Sequence, residues 1–77
     1  MPDAVAVHMN LPKPVAEALI TSLRAELRRC MHEHWYDDRY RAVPERQRSE
    51  RIFTDYPALD GHKRTLGALQ AALAAAK

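Results

Sequence analysis

The sequence predicts an all-α fold, a helical hairpin or small three-helix bundle with a long first helix, a short second one and a short extended N-terminal arm. Three observations predict it. An apolar seam of heptad type runs early in the chain and a second runs late. Prolines stand where helices begin or stop. No glycine or proline interrupts residues 15 to 43. A chain of 77 residues is one domain, so the domain covers residues 1–77.

The arm is expected over residues 1–11. Val5, Val7 and Met9 alternate with Ala4, Ala6 and His8, a period of two that suits a short strand. A lone strand has no partner in its own chain, so it either stays an extended arm or pairs with its copy across a dimer. Asn10-Leu11-Pro12-Lys13-Pro14 reads as a helix start, with Asn10 able to cap free N–H groups and proline tolerated in the first turn.

Helix 1 is expected over residues 12–41. Ala16, Ile20, Leu23, Leu27, Cys30 and His34 recur at spacings of 4, 3, 4, 3 and 4, a heptad seam. Leu19, Met31 and Trp35 widen that face. A helix reaching Tyr40 would be about 40 Å long at the α-helical rise. Pro44 ends or kinks the run and can open helix 2, expected over residues 44–55 and polar apart from Ile52 and Phe53. Tyr56-Pro57 stops it, because the residue before a proline is pushed out of the α region.

Helix 3 is expected over residues 58–76. Leu59, His62, Leu66, Leu69, Leu73 and Ala76 have spacings of 3, 4, 3, 4 and 3. Gly67 costs this helix about 1 kcal/mol relative to alanine, and close approach of another helix is the expected reason for it. The two seams should pack antiparallel. Helix 3 is the shorter, at about 30 Å or less. Part of the helix 1 seam is then uncovered unless helix 2 folds back or a second chain covers it.

Composition narrows the function classes. Cys30 is the only cysteine, so no disulfide forms within the chain and a reducing compartment fits. A domain this short is marginally stable, and association is the supplement left to it. The N-terminus lacks a basic stretch before its short apolar run, and no stretch approaches the length needed to cross a bilayer. The expected location is the cytoplasm, with no membrane partner.

The net charge of +2 does not by itself point to nucleic acid. Five arginines nevertheless cluster between residues 39 and 51 against Glu45 and Glu50. Such a cluster suits phosphate or an acidic protein surface. Tyr36 and Tyr40 stand among or beside them, and tyrosine and arginine are enriched where interfaces are strongest. The expected partner-contact set is therefore Tyr36, Arg39, Tyr40, Arg41, Arg46, Arg48 and Arg51. Trp35, on the apolar face, is expected in the core.

The densest reactive stretch is Cys30 to Asp38. Cys30 and His34 share a helix face at i,i+4, and His62 on the facing seam could complete a metal site. No second Cys or His pair supports it. Cys30 and His34 could also act as a nucleophile and base, but no orienting third residue or glycine-rich turn accompanies them. Glu33, Asp37 and Asp38 are better explained as partners of Arg29 and Arg41. No catalytic residues and no cofactor are assigned, and the chain is read as a non-enzyme.

The segment Val5-Ala6-Val7-His8-Met9-Asn10-Leu11-Pro12-Lys13-Pro14-Val15-Ala16-Glu17-Ala18-Leu19-Ile20 resembles the start of a ribbon-helix-helix DNA-binding protein. The resemblance covers about a fifth of the chain. It implies a transcriptional regulator whose N-terminal strand reads the DNA major groove through Ala6, His8 and Asn10. That family turns after roughly a dozen helical residues, near Ala25 to Leu27, where the helical pattern here continues. The leading expectation is a helical protein-binding module, an adaptor, inhibitor or regulator, working as a homodimer on another protein. The DNA-binding regulator is the alternative, and a small metal-binding helical protein the lesser one.

Overall fold

A computed structural model describes residues 3–76, and every regular element in them is helical. The order is α1 (Lys13–Trp35), a 3-10 turn (Asp38–Tyr40), α2 (Glu45–Asp55) and α3 (Pro57–Ala75). Met1 and Pro2 of the expected arm, and Lys77, lie outside the described residues. No helix is long and apolar enough to cross a membrane among the described residues.

The start of α1 differs from expectation. Pro12, not Asn10, occupies the N-cap position, with no side-chain cap. Its carbonyl accepts from the Ala16 amide at 3.0 Å, and Pro14 sits in the first turn, where its missing donor is not needed.

The end of α1 differs more. The helix stops at Trp35, short of the expected residue 41. Asp37 takes an extended backbone, and its side chain accepts from the Arg39 amide at 2.9 Å. A short carboxylate that can bond nearby backbone competes with helix continuation. The turn it caps swings Tyr40 inward, and the Tyr40 side chain is 1% exposed.

At the far corner Tyr56 alone separates α2 from α3. It caps the end of the first and the start of the second, with Pro57 as the opening residue of α3. Its amide donates to the Ile52 carbonyl at 2.9 Å and its carbonyl accepts from Leu59 at 2.9 Å. The corner locks Ile52 and Leu59 side by side with Tyr40. These three form the core, with Leu27, Cys30, Met31, Trp35, Val43, Phe53 and Tyr56 packed against it.

α1 packs mainly on α3, and the start of one lies by the end of the other: Lys13 and Ala16 share a groove with Leu69, Leu73 and Ala76. α2 folds back over the end of the pair where α1 finishes and α3 begins. The length mismatch expected between the two long helices shrinks because α1 stops at Trp35, and α2 covers the remaining end of the α1 face only in part. Gly67 is also not a close-approach site, since a Cβ there would meet nothing within 4 Å.

The result is thin. The molecule measures 44 × 34 × 17 Å, and the short dimension is less than two helix diameters of about 10 Å. Its radius of gyration is 14.8 Å, against about 11.5 Å for a compact chain of this length. Among the described residues, only Ile20, Tyr40, Ile52 and Leu59 are buried hydrophobics.

Candidate functional site

The expected contact residues divide sharply. Tyr40 is not a surface residue. Its hydroxyl donates to Asp55 Oδ2 at 2.8 Å inside the corner. Burial pushes its ionisation up, and the Asp55 carboxylate adds to the rise. Arg48 is half-buried. It donates to the Val43 carbonyl at 2.9 Å and the Trp35 carbonyl at 3.3 Å, with its guanidinium 4.9 Å from the centre of the Trp35 ring. It ties the loop after α1 to α2, so its charge is spent on backbone oxygens.

Arg39, Arg41 and Arg51 also have partners. Arg39 donates to the Tyr56 hydroxyl at 2.8 Å, while the Tyr56 ring stacks on His34 at 4.0 Å between centroids. Arg41 pairs with Asp38 at 2.6 Å, and Arg51 approaches Asp55 at 3.6 Å. Arg46 alone among the five arginines is exposed with no ion pair or hydrogen bond to a described residue. Tyr36 is exposed at 74%, its ring set edge-on to His32 at 5.4 Å.

Tyr36 stands at the rim of an open groove of about 480 Å³ between α1 and α2. Leu27, Met31 and Trp35 of α1 and Phe53 of α2 form its floor, with His32, Ser49 and Lys63 around them. Lys63 lies 4.9 Å over the Phe53 ring. No acidic residue lines the groove. Periodicity marks Leu27, Met31 and Trp35 as one face, but nothing in it tells that α2 leaves that face half open. Phe53 and Lys63 carry no sequence signal as neighbours. They meet only because the Tyr56-Pro57 corner folds α3 against α2.

The reactive stretch is used structurally. Cys30 donates its thiol proton to Glu26 at 3.5 Å, and burial pushes the thiol's ionisation up, opposed by the nearby Arg29. Arg29 also pairs with Glu33 at 2.7 Å, as the spacing suggests. A bond from Arg29 holds the Glu26 carboxyl below its usual range. His34 is taken up by the stack on Tyr56. His62 keeps a buried Nδ1 with no partner among the described residues. Among those residues there is no group of His, Cys, Asp and Glu side chains positioned to hold a metal ion.

No protein-family model matches the chain, and neither a curated protein nor a solved structure matches it.

A second apolar surface lies at the other end of the plate. Residues 3–12 are neither helix nor strand, and their backbone makes no hydrogen bond outside the helix start to another described residue. Val5, Val7 and Met9 are 86%, 75% and 68% exposed. Val7, Met9 and Leu11 edge a groove of about 420 Å³ whose other wall is Leu19 of α1 with Ala68, Leu69 and Ala72 of α3.

Proposed function

We propose that this chain is a small non-enzymatic protein-binding module, an adaptor, inhibitor or regulator, that works as a homodimer and presents the Tyr36 groove to another protein. The observation that carries this reading is an excess of surface. The chain exposes 6320 Å², against about 4,800 Å² for a compact monomer of its mass. The difference, about 1,500 Å², is close to twice the roughly 800 Å² that one partner contributes to a standard interface.

The two apolar surfaces give that excess a location. The arm suits the second copy. Its backbone donors and acceptors are free to pair with another edge. Antiparallel pairing about a two-fold axis at Val7 sets Val5 against Met9 and gathers the apolar row of both copies on one face. The groove, at the opposite end, stays open for a different protein. The raised ionisation of the Cys30 thiol and the engagement of His34 by Tyr56 speak against nucleophilic chemistry at this pair.

Molar mass in solution by light scattering tests the dimer, and a monomer at every concentration rejects it. Affinity capture from the native host tests the groove. A partner retained by the parent chain and lost on Tyr36→Asp, with helix content unchanged, is the expected result.

A second reading, the DNA-binding regulator, is favoured by the free arm, where Ala6, His8 and Asn10 would face away from the apolar row. The unbroken course of α1 through Ala25, Glu26 and Leu27 to Trp35 weighs against it. It requires DNA affinity that falls steeply with salt.

A further inference from the structure

Once the paired charges are set aside, four of the five cations that remain among the described residues lie around one face; the fifth, Lys13, edges the groove at the other end of the plate. Arg29 is held by Glu26 and Glu33, Arg41 by Asp38, Arg51 by Asp55 and Arg64 by Asp60. Arg39 and Arg48 are bonded to Tyr56 and to backbone carbonyls. Arg24, Arg28, Arg46 and Lys63 are exposed and make no ion pair with a described residue. Their positions are not scattered. At 100° per residue, Arg24 and Arg28 fall on the side of α1 that carries Met31 and Trp35. Arg46 stands seven residues, two turns, before Phe53 and on the same side of α2. Lys63 itself lines the groove.

From this arrangement we infer that the groove takes an acidic amphipathic segment of another protein: bulky apolar side chains seat on Leu27, Met31, Trp35 and Phe53, and flanking Asp or Glu meet Arg24, Arg28, Arg46 and Lys63. The inference rests on the protein-binding reading and specifies the chemistry of the partner. Charge complementarity chooses the sign. The groove has an apolar floor and no acid in its lining. Glu50, unpaired among the described residues, shares the adjoining hollow with Phe53 and Lys63, but the four cations outnumber it, so the face repels a basic ligand and draws an acidic one. The floor chooses the class. The rings that line the groove are engaged singly, Trp35 under Arg48, Phe53 under Lys63 and Tyr36 edge-on to His32, with Leu27 and Met31 between them. Methionine and leucine accept irregular apolar side chains. Two of the rings already lie under a cation, which leaves Tyr36 as the most exposed ring rather than a series on which successive bases could stack.

A displayed library of random dodecapeptides, selected against the full chain, tests this without presuming a sequence. The expected winners combine Leu, Met or an aromatic residue with two or more Asp or Glu. As synthetic peptides they should bind on the order of tenfold more weakly to the double variant Arg28→Glu/Lys63→Glu, and more weakly as salt rises. Both substitutions are at exposed positions without ion pairs, so circular dichroism should match the parent. Winners that need Phe53 but lack acids, or that bind the double variant equally well, overturn the inference and leave the protein-binding reading standing. No enrichment overturns the inference and removes support from the groove itself. Binding of a single-stranded oligothymidylate that the double variant abolishes, with no peptide enriched, assigns the face to nucleic acid and overturns both.

Discussion

Removing a single oxygen atom, in Tyr40→Phe, separates the two roles this tyrosine could have. The ring stays packed on Ile52 and Leu59, and only the bond from its hydroxyl to Asp55 Oδ2, 2.8 Å long, is lost. Hydrogen bonds to charged groups contribute about 1.5–3 kcal/mol. The Asp55 side chain is 28% exposed and keeps Arg51 at 3.6 Å, so water and that guanidinium partly replace the lost donor. The cost belongs at the low end, about 1.5 kcal/mol. A chain of this length has about 4–12 kcal/mol of net stability. For so small a domain the loss lowers Tm by about 6–12 °C, read by circular dichroism at fixed protein concentration. The pH profile adds a second readout. Burial, with the Asp55 bond behind it, raises the Tyr40 ionisation above its unfolded value near 10. Its contribution is therefore complete below about pH 10 and disappears as pH climbs through the folded value. Tyr40→Phe should flatten that alkaline fall. A variant with unchanged Tm and an unchanged alkaline slope would mean that Tyr40 is not in this core, and the surface role expected from sequence would return.

Val7→Asp places a carboxylate at the centre of the free apolar row. It should halve the solution mass while leaving helix content intact, and a dimer that survives it refutes pairing through the arm. Gly67→Ala adds a methyl group that meets nothing within 4 Å and should raise Tm by about 4–8 °C, corresponding to about 1 kcal/mol of helix propensity. A loss of stability there would reveal a packed neighbour. Arg48→Ala removes both donors to the Trp35 and Val43 carbonyls and the cover over the Trp35 ring. About 1–3 kcal/mol should go with them, in urea unfolding, whereas a purely partner-contacting arginine would leave unfolding unchanged.

The helical class and the three helices are legible in the sequence because they rest on period. Ile20, Leu27 and Leu59 all lie on the seams that spacing picks out, and Pro57 opens α3 because its fixed φ suits a first turn. What period does not carry is competition at helix ends. The 12–41 range for helix 1 overshoots because no proline or glycine marks its stop. The stop is made by the Asp37 carboxylate bonding two residues ahead, and by the burial gained in turning Tyr40 under α2. The arginine cluster misleads for a related reason. Linear density of Arg39, Arg41, Arg48 and Arg51 suggests a charged face, yet each reaches a different oxygen once the chain folds. The unpaired cations at Arg24, Arg28 and Lys63 sit in stretches where density is unremarkable. Tyr36, Arg39, Arg41, Arg46 and Arg51 keep in the fold the exposure expected of them, whereas Tyr40 and Arg48 do not.

In the proposed function, stability and binding draw on the same atoms. A plate one to two helices thick cannot hide both sides of its seams, so Leu27, Met31, Trp35 and Phe53 serve the core with one edge and face water with the other. Anything that covers the outer edge stabilises the folded state by mass action, by about 2.7 kcal/mol when the partner is present at a hundred times its Kd. Against a net stability of about 4–12 kcal/mol that is a substantial fraction. Thickening the core from inside, for example by mutations that bury Phe53 and Trp35 fully, would raise Tm of the isolated chain and remove the surface that the proposed partner would use. The thin core is thus what keeps the groove open.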